Sequence, residues 1–211
     1  MNITKITESY VEGHPSIRDC VKKRLINYSR LSREILHSSN LSKESFDAVL
    51  IACRRYYRKI LNAGILEDQI LAIMSKSKLE VRNKIAVAVL YKDIFSDDLI
   101  EIEKKAKKSK EAFYAIEGTD AITLVISEEL LDSVKAAFKS GVKKSWKGLA
   151  LVLIKSPEGM QDATPGFLTF LTGKISGHGI NILEIMSCWS ETLLVVSEGD
   201  IAKVLDALRF Q

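Results

Sequence analysis

The sequence predicts an α+β fold in which a helical N-terminal domain precedes two βαββα units. Apolar residues recur at helical spacing in the first third of the chain. Farther along, short apolar runs alternate with amphipathic segments, which is typical of strands and helices in alternation. The order of these segments repeats once, at a spacing of about 65 residues. We therefore expect three domains, over residues 1–76, 77–146 and 147–211.

The N-terminal domain is predicted to consist of helices. A His-Pro-Ser start signal at residues 14–16 opens one amphipathic segment, and SRLSREIL forms the next. Ser42 has the residue type of an N-cap, so Lys43 to Leu61 is predicted as the longest helix. Its apolar residues, with Cys53 as a buried thiol among them, share one face of a helical wheel. The opposite face carries Arg54, Arg55, Arg58 and Lys59.

This basic face makes DNA a candidate partner. Two helices joined by the polar turn HSSNLS indicate a helix-turn-helix arrangement, whose second helix would enter the major groove. Arg54, Arg55, Arg58 and Lys59 would then contact phosphates or guanine edges. Residues 1–62 carry 12 Lys and Arg against six Asp and Glu, whereas the whole chain has a net charge of +4. The alternatives are a solvated helix face or a protein-docking surface.

The first βαββα unit begins with the buried strand IAVAVL, Ile85 to Leu90. SDDLIEIEKKAKK follows as a helix that is acidic at its start and basic at its end, as the helix dipole favours. The strands EAFYAIEG and DAITLVIS are joined by a glycine turn. SEELLDSVKAAFKS is the closing helix, with Ser127 as its N-cap.

The second unit repeats this order. LALVLIK is a strand, TPGFLTFLTGKIS a helix, INILEIMS and ETLLVVS are strands, and EGDIAKVLDALRF is the final helix. Both units follow the ferredoxin-like βαββαβ pattern. Only Phe210 and Gln211 follow the final helix, so the source of a last strand for the second unit stays open.

The start of the TPGFLTFLTGKIS helix is the candidate ligand site. Thr164 is predicted as the N-cap and Pro165 as the first helical residue, where a missing N–H is tolerated. Gly166 leaves the first turn without a side chain, so the free amides can face a carboxylate or a phosphate. The loop before it, SPEGMQDA, is long enough to fold over a small ligand. The alternative is that this helix start serves packing or oligomerisation alone.

These residues resemble the ACT domain, an amino-acid-binding regulatory module. TPGFLTFLTGKISGHGINILEIMSCWSETLLVV with SEGDIAKVLDAL is most similar to the ACT repeats of aspartokinases. The resemblance implies two ACT-type modules, the first degenerate because it lacks a Pro-Gly pair. It implies that Asp162 meets the ammonium group, the helix-start amides the carboxylate, and that Asn181 adds an amide from the neighbouring strand. The implied ligand-binding residues are Asp162, Ala163, Thr164, Pro165, Gly166, Asn181 and Ile182.

Several function classes are not expected. The sequence has no P-loop, GxGxxG, HExxH or GxSxG motif, and its histidines are not spaced as metal ligands. We therefore expect no enzyme activity, no metal and no cofactor. No apolar run is long enough to span a membrane, and no signal peptide is expected. Three distant cysteines indicate a reducing compartment, so the expected location is the cytoplasm.

Taken together, these patterns predict an amino-acid-sensing regulatory protein. A free amino acid would bind the ACT modules, the helical domain would contact DNA, and the chain would form a homodimer or a higher homo-oligomer. The whole chain is similar in architecture to archaeal-type proteins that join a helical domain to tandem ACT modules. The alternative is a non-enzymatic oligomeric scaffold or a regulatory subunit of an amino-acid-metabolism enzyme.

Overall fold

The computed structural model describes residues 2–60, 64–92, 96–159 and 164–209. Contacts between Cα atoms divide the chain into two compact units, Met1–Asp68 and Gln69–Gln211. We call them the helical unit and the sheet unit. The boundary lies inside the helix Gly64–Lys76, because Ile70, Ile73 and Met74 of that helix pack into the core of the sheet unit.

Local capping explains where the helices of the helical unit begin. The side chain of Asn2 accepts hydrogen bonds from the amides of Thr4 and Lys5, and the side chain of Asn27 accepts one from Arg30. Pro15 is the first residue of its helix, where no amide is needed. The helices described in this unit are α1 (Ile3–Glu12), α2 (Pro15–Lys22), α3 (Tyr28–Ser38) and α4 (Phe46–Ile60), and α5 (Gly64–Lys76) follows them.

The predicted start of α4 differs from the observed one. Residues 43–45 form a 3-10 turn and α4 begins at Phe46. The Ser42 hydroxyl lies 3.3 Å from the Ser45 hydroxyl, and it does not cap the helix through a backbone amide. The two serine hydroxyls therefore hydrogen-bond to each other. The Ser45 amide closes the turn by donating to the Ser42 carbonyl at 3.0 Å.

The core of the helical unit lies between α1, α3 and α4. Ile35, Val49, Cys53 and Tyr56 are at most 2% exposed. Tyr56 is the buried aromatic residue of α4, and the neighbouring Tyr57 is half-buried. Cys53 is a buried free thiol, as predicted.

The sheet unit contains one antiparallel sheet, which has six strands in the part of the chain that the structure describes. The strand order is β2-β3-β1-β4-β6-β5. The strands are β1 (Lys78–Tyr91), β2 (Phe113–Glu117), β3 (Ala121–Ser127), β4 (Val142–Lys155), β5 (Ile182–Cys188) and β6 (Glu191–Ser197). The accompanying helices are α6 (Ser96–Ser109), α7 (Glu128–Phe138), α8 (Phe167–Gly177) and α9 (Ile201–Ala207).

Strands β1 and β4 join the two halves of the sheet. Residues 85–91 of β1 pair with β3 on one side, and residues 149–155 of β4 pair with β6 on the other. Between them the two strands pair along almost their whole 14 residues. Residues 78–82 of β1 therefore pair with the second half of β4, at the position of the last strand of the second βαββα unit. That strand thus comes from the segment that precedes the first βαββα unit.

A bulge divides β1 into these two segments. The pairing with β4 shifts between Arg82 and Ile85, and Lys84 has a φ of 54°. A bulge bends a strand and increases its twist. Gly148 on β4, opposite this region, has a φ of 69°, a conformation that glycine adopts without strain. The two central strands can therefore bend together.

The two faces of the sheet are buried in different ways. One face packs under helices: Ala86 and Ala88 contact the core of α6 and α7, and Ala150 and Val152 contact that of α5, α8 and α9. The opposite face holds a core of strand residues, joined by Ala112 just before β2. That core is Ile85, Val87, Ala112, Val125, Leu149, Leu151, Leu153, Leu193 and Val195. Since strand residues alone bury this face, the sheet curves around it.

We predict that Cys53 makes the stability of the protein fall at alkaline pH. Burial raises the pKa of its thiol to about 11, against about 8.5 in an unfolded chain. The stabilisation by the buried thiol is fully present below the pKa of the unfolded state. It is lost as the pH rises towards the pKa of the folded state, because the thiol of the unfolded state ionises first. The expected loss in the free energy of unfolding is about 2 kcal/mol between about pH 8 and pH 10.

Urea unfolding of Cys53→Ala and Cys188→Ala at the two pH values isolates this effect. Cys188 is exposed, so its variant should lose as much stability as the parent protein. Cys53→Ala should lose less, by about 2 kcal/mol. Parallel pH dependence in all three proteins would contradict the assignment.

Candidate functional site

The helix start that carries the candidate ligand site begins later than predicted. α8 starts at Phe167 and Gly166 is its N-cap, so Thr164 is not the N-cap and Pro165 is not the first helical residue. Gly166 has φ 84° and ψ 2°, the angles of the third residue of a type II turn, with proline favoured just before it. The Pro-Gly pair is therefore a turn in front of the helix, where glycine is needed for its positive φ.

The amides at this helix start remain available in the observed arrangement. The first hydrogen bond of α8 runs from the Phe170 amide to the Gly166 carbonyl, at 2.9 Å. The amides of residues 167–169 precede it and have no acceptor within the helix. Pro165 and Gly166 are exposed and Thr164 is half-buried, so the side chains of the described residues leave the turn open. Asp162 and Ala163 lie outside the described residues.

Asn181 and Ile182 lie at the other end of α8. Lys155 pairs with Glu191, which also pairs with Cys188, so the loop after β4 starts at the sheet end where β5 finishes. α8 runs back along the sheet for about 16 Å before β5 begins at Ile182. Asn181 is exposed, and Ile182 packs against the core under α8. One copy of the chain therefore does not bring these two residues to the Pro-Gly turn.

A pocket of about 260 Å³ lies at the sheet end where α8 begins. It is lined by Lys76, Lys78, Lys155, Ser156, Pro157, Glu158 and Ser190. The lining holds three lysines and one glutamate, and Glu191 outside the lining pairs with Lys155, so the remaining excess of one positive charge favours an anionic group. We call it the lysine pocket. Its residues come from the ends of α5, β1 and β4, from the β5–β6 turn and from the first residues of the loop SPEGMQDA, so the sequence indicated the loop but not the lysines that face it.

Hydrogen bonds fix the floor of the lysine pocket. Ser156 is 4% exposed, and its amide donates to the Ser190 carbonyl at 2.8 Å. The Ser77 hydroxyl donates to the Ser156 hydroxyl at 3.2 Å. Lys155 pairs with Glu191 at 3.2 Å across the strands. The segment that starts the loop towards α8 is thus tied to β1 and to the β5–β6 turn.

The four residues predicted to contact DNA differ in their surroundings. Arg54, Arg55, Arg58 and Lys59 are all exposed on α4. The Lys59 ammonium lies 2.8 Å from the Glu8 carboxylate, and this hydrogen bond raises the pKa of Lys59. Its charge is already paired within the protein.

Arg54 and Arg58 line a cleft of about 360 Å³, and Arg55 is not part of its lining. We call it the arginine cleft. Its lining is Arg24, Tyr28, Arg54, Tyr57 and Arg58. The sequence also offers the basic run Lys22, Lys23 and Arg24 for contacts with a nucleic-acid backbone, and Arg24 of this run lies in the cleft, whereas Tyr28 and Tyr57 carry no such signal.

The connection between α3 and α4 bears on how DNA could be bound. It comprises residues 39–45, of which 43–45 form a 3-10 turn, so four residues separate the two helical segments, a length within the three to four residues typical of a helix-turn-helix. Arg54 and Arg58 lie in the second half of α4, whereas a recognition helix contacts bases with its N-terminal residues. The position of these arginines therefore suits contact with phosphates better than reading of bases.

The described part of the chain holds neither a metal-ligand cluster nor a membrane-spanning helix. There, no group of three or more His, Cys, Asp and Glu residues could hold a metal ion. Likewise, none of the described helices combines the length and the apolar character needed to cross a membrane.

No protein-family model and no curated protein matches this chain. Among solved structures it is similar to Clostridium acetobutylicum aspartate kinase (16% identity, TM-score 0.49), over 62% of this chain and 33% of that one. It is also similar to the ligand-free regulatory subunit of aspartate kinase from Thermus thermophilus (13%, 0.48), over 62% and 92%. The chain spans about a third of the Clostridium kinase. At these identities and TM-scores the similarities carry no argument about function, which rests on the sites themselves.

We predict opposite effects for two glycine substitutions at α8. Gly166→Ala should destabilise the protein by about 1 kcal/mol, because an alanine at positive φ is strained. Gly173→Ala, inside the same helix, should stabilise it by up to about 1 kcal/mol, because nothing lies within 4 Å of the added methyl group. Thermal unfolding of both variants checks this, and stabilisation by Gly166→Ala would contradict the observed turn.

Proposed function

We propose that the sheet unit consists of two ACT-type modules that bind a free amino acid, and that the protein is a non-enzymatic regulator. The observation that carries the proposal is the position of the lysine pocket. It lies where β1 begins and β4 ends, the strands that join both halves of the sheet, at the end of the sheet from which the chain continues towards α8. We propose that its cationic side chains and the amides at the start of α8 act on one ligand at this end of the sheet.

Each group of a free amino acid has a counterpart there. Lys78 and Lys155 can attract the carboxylate, and the amides at the start of α8 can donate to it. The ammonium group needs a carboxylate, which Glu158 provides in the pocket lining and which the sequence also offers at Asp162. The pocket volume of about 260 Å³ is below the 300–1,000 Å³ typical of drug-sized ligands, so a smaller ligand suits it.

Regulation follows from the shared strands. A ligand at this end contacts β1 and β4 directly, and these two strands belong to both halves of the sheet. Binding regulates the protein only if the ligand has a higher affinity for one of two packings of the sheet halves. Asn181 lies at the opposite end of α8, so a site that includes Asn181 requires a second copy of the chain. We therefore propose a homo-oligomer in which one copy presents its β5 edge to the pocket of another.

DNA is the second candidate partner, through the helical unit. Met1–Asp68 carries 12 Lys and Arg against eight Asp and Glu, whereas residues 69–211 carry 19 of each. The net charge of +4 thus belongs to the helical unit, which favours a polyanionic partner. A regulatory subunit that docks this unit on an acidic surface of an enzyme is equally consistent with the proposed amino-acid site.

We expect one amino acid to raise the thermal stability of the full chain clearly above the others, in a panel at about 1 mM each. A ligand that binds only the folded state stabilises it by about 2.7 kcal/mol at 100 times its Kd. Lys78→Gln and Lys155→Gln should raise the Kd for that amino acid about tenfold, because each removes a charged contact with the carboxylate.

Lys143→Gln is the matched control. Lys143 lies on β4 at the end away from the pocket, so this variant should keep the parent Kd within about twofold. A flat panel would contradict amino-acid binding. A single hit that Lys78→Gln and Lys155→Gln leave unaltered would place the site elsewhere.

A further inference from the structure

We propose that the arginine cleft of the helical unit is a binding site for a phosphate group. This goes beyond the proposed function, because it assigns a ligand and a discrete site to the helical unit. It does not depend on amino-acid binding by the sheet unit. The site replaces the broad basic face expected from the sequence with a defined set of side chains.

The cleft is assembled from three separate segments. Arg54, Tyr57 and Arg58 lie at i, i+3 and i+4 on α4 and so share one face of that helix. Tyr28 is the first residue of α3, and Arg24 belongs to the turn between α2 and α3. Solvation of α4 alone would not require guanidinium and phenol groups from other segments to meet its basic face.

Arg24 occupies a backbone position that favours glycine. The Leu25 amide donates to the Cys20 carbonyl at 2.8 Å, and the Arg24 amide donates to the Val21 carbonyl at 3.2 Å. This is the Schellman pattern at the end of α2, with Arg24 in the left-handed position at φ 57°. A residue other than glycine costs about 1 kcal/mol there. Glycine would relieve this strain, so the side chain of Arg24 can be removed without a loss of stability from this backbone position.

The side chain of Arg24 is also held in place. Its Nε donates a hydrogen bond to the Tyr57 hydroxyl, and its guanidinium carbon lies 4.8 Å from the centre of the Tyr57 ring. The remaining guanidinium N–H groups are left for a ligand, since the fork has five donors. A phosphate oxygen is a good acceptor for such a fork.

The charges around the cleft are unbalanced. No ion pair involves Arg24, Arg54 or Arg58 among the residues that the structure describes. Burial raises the pKa of Tyr28, and the groups acting on it are Tyr57, Cys53, Arg24 and Arg54, without a carboxylate. The Tyr28 hydroxyl therefore stays protonated at neutral pH and can donate to an oxyanion. A phosphate dianion would offset the mutual repulsion of the three guanidinium groups.

The phosphate could belong to a small molecule or to the backbone of a nucleic acid, which share this chemistry. Two probes distinguish them: inorganic phosphate against chloride at equal ionic strength, and a short fluorescent DNA duplex at low salt. The first is read by thermal unfolding of the full chain and the second by fluorescence anisotropy. Added phosphate that displaces the duplex would place both at the same cleft.

We expect Arg54→Ala and Arg58→Ala to weaken binding of the responding probe at least about tenfold, since each removes a charged hydrogen bond. Arg55→Ala is the matched control. It removes the same charge from the neighbouring position of α4 outside the cleft, so it should change affinity less than about threefold. Circular dichroism should show the same helix content in all variants, because these residues are exposed.

Arg24→Gly separates binding from folding. The unfolding temperature of this variant should equal or exceed that of the parent, because glycine suits the left-handed position, while binding of the probe should fall at least tenfold. A stabilised variant that no longer binds is the result that a merely structural arginine would not give.

Each outcome decides the proposal. Phosphate binding that the cleft variants lose supports a small phosphate ligand, and duplex binding alone with the same losses supports a backbone phosphate. The proposal is overturned if neither probe binds, or if Arg55→Ala loses as much affinity as Arg54→Ala. Amino-acid binding is assigned by the Lys78 and Lys155 variants and phosphate binding by the cleft variants, so either proposal can fail without the other.

Discussion

The antiparallel pairing of β1 with β4 is the interaction on which the sheet unit depends. β3 bonds to β1 and β6 bonds to β4, so each outer pair of strands is attached through one of these two. The bulge at Arg82–Ile85 lets β1 serve both halves, because it bends the strand where its neighbours change. The curved sheet then buries a core of its own on one face and lies under helices on the other. The lysine pocket is a consequence, since it forms where the ends of these strands meet.

In the helical unit, a cluster of positive charges is maintained at a cost in stability. Three arginines converge on one cleft, and one of them occupies a left-handed position that glycine would fill without strain. Tertiary packing supports this arrangement, because Cys53 and Tyr56 on the same helix are buried in the core. A stable helix thus carries an unbalanced charge on its outer face. Such sites are where residues chosen for binding rather than for stability are expected.

The apolar parts of the sheet could be predicted from the sequence, and the polar parts could not. The runs IAVAVL and LALVLIK are buried on both faces, so they appear as continuous hydrophobic segments. Residues 78–84 and 142–148 extend the same strands but are mostly exposed, so their composition resembles that of loops. Residues 78–82 pair with residues 151–155, and residues 142–146 pair with residues 87–90, so this pairing is long-range and leaves no periodic pattern. The source of the missing strand was hidden for this reason.

The candidate sites, too, could be predicted from the sequence only in part. The Pro-Gly pair indicated a helix start, yet its role as a type II turn depended on the φ of Gly166, which residue types alone do not determine. Arg54 and Arg58 could be placed on one face of a helix from their spacing. Arg24 belongs to a basic run that is visible in the sequence, but its place beside Tyr28 in one cleft depends on the turn that joins α2 to α3. The lysine pocket combines distant strand ends and was not predictable in this way.

Native-state hydrogen exchange of the full chain tests most directly whether β1 and β4 make the sheet one cooperative unit through which a ligand reaches both halves. We expect the amides of residues 85–90 and 149–154 to exchange only through global unfolding, with equal opening free energies. Binding of an effector would then raise both values together. A lower opening free energy for one half, by several kcal/mol, would show that the halves open separately and would contradict the account.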